Sequence, residues 1–262
     1  MPDATDERIA RAFDLRGRPT SFTRTCGGAR VDLMIDHVRD LASVRDATER
    51  LLTAVTKLDN AAVAEPSRLP GWSRGHVLAH LSRNADALVN VLEGRPMYAS
   101  ASTRDADIER DAPRPLDVQL ADLRESAARF GETGATPADW SRTVELRNGV
   151  TDSAARVPFR RWVEVDLHHV DLGIGYELED LPEEFVTREI DFLAERFGGH
   201  KDVPSTGLDA GDGQVWTTGG GAEGGPVVVQ GSAADLLGWL CGRRDGTALT
   251  VHGGPLPALP PL

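Results

Sequence analysis

The chain has 262 residues, enough for one large domain or two ordinary ones, each with its own buried core. A formal charge of -12 repels a phosphate backbone, and no basic stripe with interleaved aromatics offsets it, which excludes nucleic acid as a partner. No apolar run is long enough to span a bilayer, and the N-terminal MPDATDERIARAFDLRGR lacks the apolar middle of a secretory signal; these features predict a cytoplasmic protein with no membrane role.

Residues 1–33 mix charge, arginine and glycine without periodicity and read as a disordered extension, with Met34 as an alternative translation start. A first helix follows, with Ile35, Val38, Leu41, Val44, Leu51, Val55 and Leu58 as its apolar stripe. After the loop AEPSRLPGW, Ser73 caps a second helix carrying Val77, Leu81, Leu88 and Leu92, which Gly94 stops. Met97 to Pro115 is polar and proline-marked and reads as a long connection. The third helix carries Leu116, Leu120, Leu123, Ala127 and Phe130. Residues 131–157 read as a loop or short hairpin, and the fourth helix, Pro158 to Leu172, turns Trp162, Val163, Leu167 and Val170 inward. Four amphipathic helices make a bundle. The pattern then changes. A fifth helix starts near Pro182 and ends at Gly198-Gly199; GQVWTT, PVVVQG and TALTVHG read as strands, and Ser232 caps a helix over SAADLLGWLCGR. The glycines of TTGGGAEGG lie between two strands and open no helix, so they read as a flexible hairpin loop, not a phosphate cradle. The expected class is α+β: a helical bundle over 34–175 and a small α/β domain over 176–262.

Cys26 and Cys241 show no paired spacing, so any zinc must be held by nitrogen and oxygen. On the fourth helix Glu164 and His168 are four apart and stack on one face, where they converge on a single point. A solvated polar face is the alternative reading of Glu164, His168 and Asp171. His169 points about 100 degrees away from His168. A histidine of the second helix would complete a set of two histidines and a carboxylate, which for zinc leaves a fourth position open. His76 and His80 are equally spaced for it, and a hydrogen-bonded core role is the alternative for each. Arg160, Arg161, Arg243 and Arg244 are candidates for binding a small anion. Cys241, between apolar neighbours, reads as buried packing; Trp72 and Trp162 read as core packing, with walling of the site as the alternative. Asn84, Asp86 and Asp171 either orient ligands or serve as solvated or capping groups.

LPGWSRGHVLAHLSRNADAL, EVDLHHVDLG and SAADLLGWLCGRRDG together resemble the mycothiol-dependent maleylpyruvate isomerase family, from about Met34 to the C-terminus. The resemblance implies a DinB-like up-and-down four-helix bundle followed by a small C-terminal domain. It implies His80, Glu164 and His168 as metal ligands, zinc or another divalent metal as the ion, and mycothiol as the thiol cofactor. It implies Arg243 as a catalytic and cofactor-binding residue, with Arg244 one position away as a rival. The implied substrate is a small dianion whose cis double bond becomes rotatable when a thiolate adds to it; elimination then returns the trans isomer. Two alternatives stay open: transfer of the thiol to electrophiles, and a non-enzymatic zinc-stabilised binding protein, which a closed four-ligand site using His76 would favour.

Overall fold

The computed structural model describes residues 35–136, 138–222 and 225–262. The readings made for residues 1–33, including Cys26, lie outside the described residues. The chain divides into two compact units, one spanning Met34–Glu177 and the other containing Leu178–Leu262.

The first unit is built on four long helices: α1 (His37–Val55), α3 (Arg74–Leu92), α5 (Leu116–Ala135) and α6 (Val157–Asp171). Short α2 (Asn60–Ala64) and the eleven-residue α4 (Ala101–Asp111) lie between them. α1 to α4 start where a side chain can satisfy free backbone N–H groups. Asp36 accepts from Val38 and Arg39, Ser100 accepts from Thr103, and Ser73 accepts from His76 while the His76 ring accepts from the Ser73 N–H in return. Gly94 follows α3 at φ +78, a conformation that a Cβ would strain. The apolar stripes meet in a core containing Leu51, Val55, Leu78, Leu81, Leu123, Phe130 and Val165. Ile35 and Val38, expected in that stripe, are exposed, because α1 begins only at His37 and its first turn overhangs the core.

The segment expected to be a long connection holds α4, and this helix determines the path of the chain. Because α4 carries the chain back, α3 and α5 run parallel: the position a Gly75 Cβ would take lies 3.1 Å from Gln119, Arg83 pairs with Asp122, and Arg129 pairs with Asp86. α6 runs antiparallel to α3. Arg74 Nε donates to the Leu172 carbonyl at 2.9 Å, His80 meets Glu164, and Arg161 meets Asn84. Between α5 and α6 the expected excursion is a hairpin of β1 (Thr143–Glu145) and β2 (Thr151–Ser153), turned at Asn148 with φ 60.

The second unit contains α7 (Glu183–Phe197), α8 (Ala233–Leu240) and a four-stranded mixed sheet in the order β4-β3-β5-β6. Its strands are β3 (Thr206–Asp209), β4 (Val215–Thr218), β5 (Val227–Gln230) and β6 (Thr250–His252). The central strand β3 was not expected. Its Leu208 stands opposite Trp216 on one side and Val229 on the other, antiparallel and parallel respectively. The glycine-rich segment therefore is not a hairpin loop: β4 and β5 flank β3 and do not pair with each other. α7 docks on β4 through Thr218 Oγ1, which donates to the Ala194 carbonyl at 2.7 Å, and Trp216 Nε1, which donates to Asp191 at 2.7 Å. α8 is capped by Ser232 and ends at buried Cys241.

Candidate metal centre

α3 and α6 present three donors to one point. His80 Nε2 lies 2.9 Å from Glu164 Oε2, and His168 Nε2 lies 3.2 Å from the same oxygen. One donor atom from each of the three falls within 4.8 Å of the others, and among the described residues the cluster stops at three. The rings of His80 and His168 stand edge to face with centroids 4.6 Å apart. Tetrahedral zinc bonds of about 2.1 Å put neighbouring ligand atoms ~3.4 Å apart, so this set fits such an ion with little movement. Two histidines and a glutamate leave a fourth position for water or substrate.

The electrostatics fit a cation as well. Burial pushes the Glu164 carboxyl up, but the hydrogen bonds and nearby charge of His168 and His80 outweigh it and hold it well below the usual range, so the group is a carboxylate. Burial pulls His80 down to about 4, which keeps its ring neutral. Burial also pulls on His168, but its bonds to Asp171 and Glu164 win, and its pKa is raised. Asp171 is fully buried and its Oδ2 lies 2.8 Å from His168 Nδ1. A carboxylate behind a histidine fixes the tautomer whose other nitrogen is bare for a metal.

Residues 44–173 match the family described as mycothiol maleylpyruvate isomerase N-terminal domain, and residues 180–261 match the MDMPI C-terminal domain. The chain belongs to the mycothiol maleylpyruvate isomerase family. A crystal structure of mycothiol-dependent maleylpyruvate isomerase superposes with a TM-score of 0.78 at 26% identity, covering 86% of this chain and 97% of that one. A histidine-to-alanine mutant of an isomerase of that description superposes at 0.77, also at 26% identity and the same coverage. No curated protein matches the sequence. The isomerase family is a family of enzymes, and no helix among the described residues is long and apolar enough to cross a membrane.

The other sequence candidates of this isomerase-family chain sort by what they touch. His76 is turned away, its ring on Ser73 and 3.4 Å from Glu109, and buried His169 stacks on Tyr176 at 4.1 Å. Trp72 walls His80, with ring centroids 5.5 Å apart, whereas Trp162 is core and donates to Asp166 at 2.6 Å. Asn84 accepts from Arg161, and Asp86 pairs with Arg83 and Arg129, so neither braces a ligand. Arg160 is held by Asp152. Arg161 is fully buried, and burial lowers its pKa to about 10 despite the opposing charge of Glu164, which leaves it a cation at neutral pH. In the C-terminal unit Arg244 is committed to Asp235 and Glu179, while Arg243 Nη1 donates to the Cys241 carbonyl at 2.9 Å.

Sequence reasoning missed Tyr98 and Arg104, from the segment taken as a connection. Arg104 Nη2 lies 3.3 Å from His80 Nδ1. Burial raises the Tyr98 pKa, seconded by the charge of Glu164, while a hydrogen bond to Arg104 opposes it. Tyr98 also lines a cavity of about 530 Å³ with Ser100, Ala101, Arg142, Arg147 and Asn148. The triad itself is not in that lining; Tyr98 lines the cavity and also feels the charge of Glu164.

Proposed function

We propose that this chain catalyses the cis to trans isomerisation of maleylpyruvate or a close analogue, with zinc and mycothiol as cofactors, in the cytoplasm. The convergence of His80, Glu164 and His168 in a chain of this family carries the reading. Those three would hold the ion. When bound, zinc supplies positive charge that favours an ionised thiol, and mycothiol supplies the nucleophilic sulfur. The residues do the rest. Asp171 holds a His168 proton on Nδ1, which leaves Nε2 as the nitrogen that would face the ion. Trp72 covers one side of His80 and limits water there. The cavity beyond Tyr98 has the size and polar lining for a small thiol or a dianion. Arg243 is the proposed carboxylate-binding residue of the C-terminal unit, on the resemblance of WLCGRR to the family.

The test is the purified full chain with zinc and mycothiol, assayed on maleylpyruvate and separately on a general electrophile. Isomerisation that depends on both cofactors, and falls at least a hundredfold in Glu164→Gln, supports the reading. Turnover of the electrophile alone would replace it with thiol transfer.

A further inference from the structure

The two histidines of the triad are braced in opposite ways. Behind His168 stands a carboxylate, which accepts the Nδ1 proton. Behind His80 stands Arg104, and a guanidinium only donates. The contact therefore makes His80 Nδ1 the acceptor and places the ring proton on Nε2, where it meets Glu164 Oε2 at 2.9 Å. A histidine that gives Nε2 to an ion carries its proton on Nδ1 instead. Nδ1–H and the Arg104 N–H would then face each other as two donors. The Arg104 contact and ligation through His80 Nε2 exclude each other.

Resting on the triad as a metal centre, we propose that Arg104 is the residue that recognises a carboxylate on the ligand of this site, moving from His80 Nδ1 to that carboxylate when the ion is held. Three observations place it for the task. It is mostly buried, with 13% of its side chain exposed, and its Nη1 is on Asp105, which is largely in solvent and holds it weakly. Its hydrogen bond to Tyr98 ties it to a wall of the 530 Å³ cavity. Ser100 and Ala101, four and three residues earlier, line the same cavity, so Arg104 shares their side of the segment. Arg95, Arg142 and Arg147 bring guanidinium groups to that lining, which suits a ligand with two carboxylates. The ligand class is a small dicarboxylate that binds at the cation through one end and reaches Arg104 with the other.

The full-length protein loaded with cobalt(II) reports ligand binding by its visible absorption. Maleate, a cis-dicarboxylate, and azide, an anion with no carboxylate, are the probes. In Arg104→Met the maleate dissociation constant is expected to rise tenfold or more, azide binding to stay unchanged, and cobalt affinity to stay equal or increase. Arg104→Lys, which keeps charge without the fork, is expected to fall between, and it carries the same test if the methionine variant does not fold. Unchanged maleate binding, or a tenfold loss of cobalt affinity in Arg104→Met, overturns the assignment. Failure of the wild-type protein to bind cobalt sinks the metal centre itself. Maleate discrimination without maleylpyruvate turnover supports the arginine and refutes only the proposed reaction.

Discussion

Asp171 shows how much of the candidate metal centre lies behind its three donors. Its carboxylate is fully buried and its oxygen on His168 Nδ1 selects the tautomer that can ligate. Asp171→Asn keeps the shape and loses the charge, and it is expected to weaken zinc binding ten- to a hundredfold in a chelator competition, with the helical circular dichroism unchanged. His80 gives a pH signature. Its folded pKa is about 4, against 6.5 for a free ring, so below pH 6.5 the unfolded chain takes up a proton that the folded chain refuses. The metal-free protein therefore loses stability as pH falls from 6.5 to 4, by ~3 kcal/mol from this residue alone. His168 has the opposite sign: its raised pKa stabilises the fold below 6.5, and that contribution disappears as pH rises through the raised value. Urea denaturation of metal-free wild type and His80→Asn should diverge over this range; parallel curves would refute the assignment. Of these residues, Glu164 and His168 were legible from spacing because four residues on one helix is a local fact. Choosing His80 over His76 was not, since both fit the spacing and only packing turns His76 toward Glu109. Tyr98 and Arg104 carry no local signal, because their partners are distant in sequence.

Among elements, α4 and β3 escaped the periodicity for different reasons. Only Ile108 and Asp111 of α4 are buried, so its stripe is too narrow to stand out from a polar linker. β3 is buried on both faces and contains glycine, so it shows neither alternation nor a long apolar run. Long helices with full stripes were plain to read, and their caps set their starts closely, as Ser73 and Ser232 show. α3 carries a sharper constraint at Gly75, where a Cβ would lie 2.3 Å from the Ala112 carbonyl oxygen at the end of α4. Alanine gains about 1 kcal/mol over glycine in a helix, but a backbone oxygen cannot yield, and overpacking costs about 1–3 kcal/mol. Gly75→Ala is therefore expected to lower stability by chemical denaturation, whereas a simple propensity argument expects a gain.

At the level of the molecule, the helical unit has an apolar core of its own, apart from the candidate metal centre. The core residues Leu51, Leu78, Leu81, Leu123 and Phe130 are almost fully buried, and the apolar stripes that bring them together need no metal. Removing zinc with a chelator is expected to abolish turnover and lower the melting temperature through the lost binding energy, while far-ultraviolet circular dichroism keeps its helical amplitude. Collapse of that signal would make the ion structural. The change in composition near Pro182 was enough to expect a second unit of different class, and its sheet is there. The strand order was not readable, because pairing across β3 depends on contacts between segments and not on any one of them.

The rungs between α3 and α6 have a consequence for how the gene can drift. His80 opposes Glu164, and one turn along Asn84 and the Leu81 carbonyl receive Arg161, a cation with no route back to water. A single-codon insertion between positions 81 and 84 would rotate everything downstream by about 100 degrees and strand that guanidinium against hydrocarbon. Descendants of this chain should therefore vary at the outward-facing positions of these two helices while conserving their length to the residue, a signature that an alignment counts in gaps.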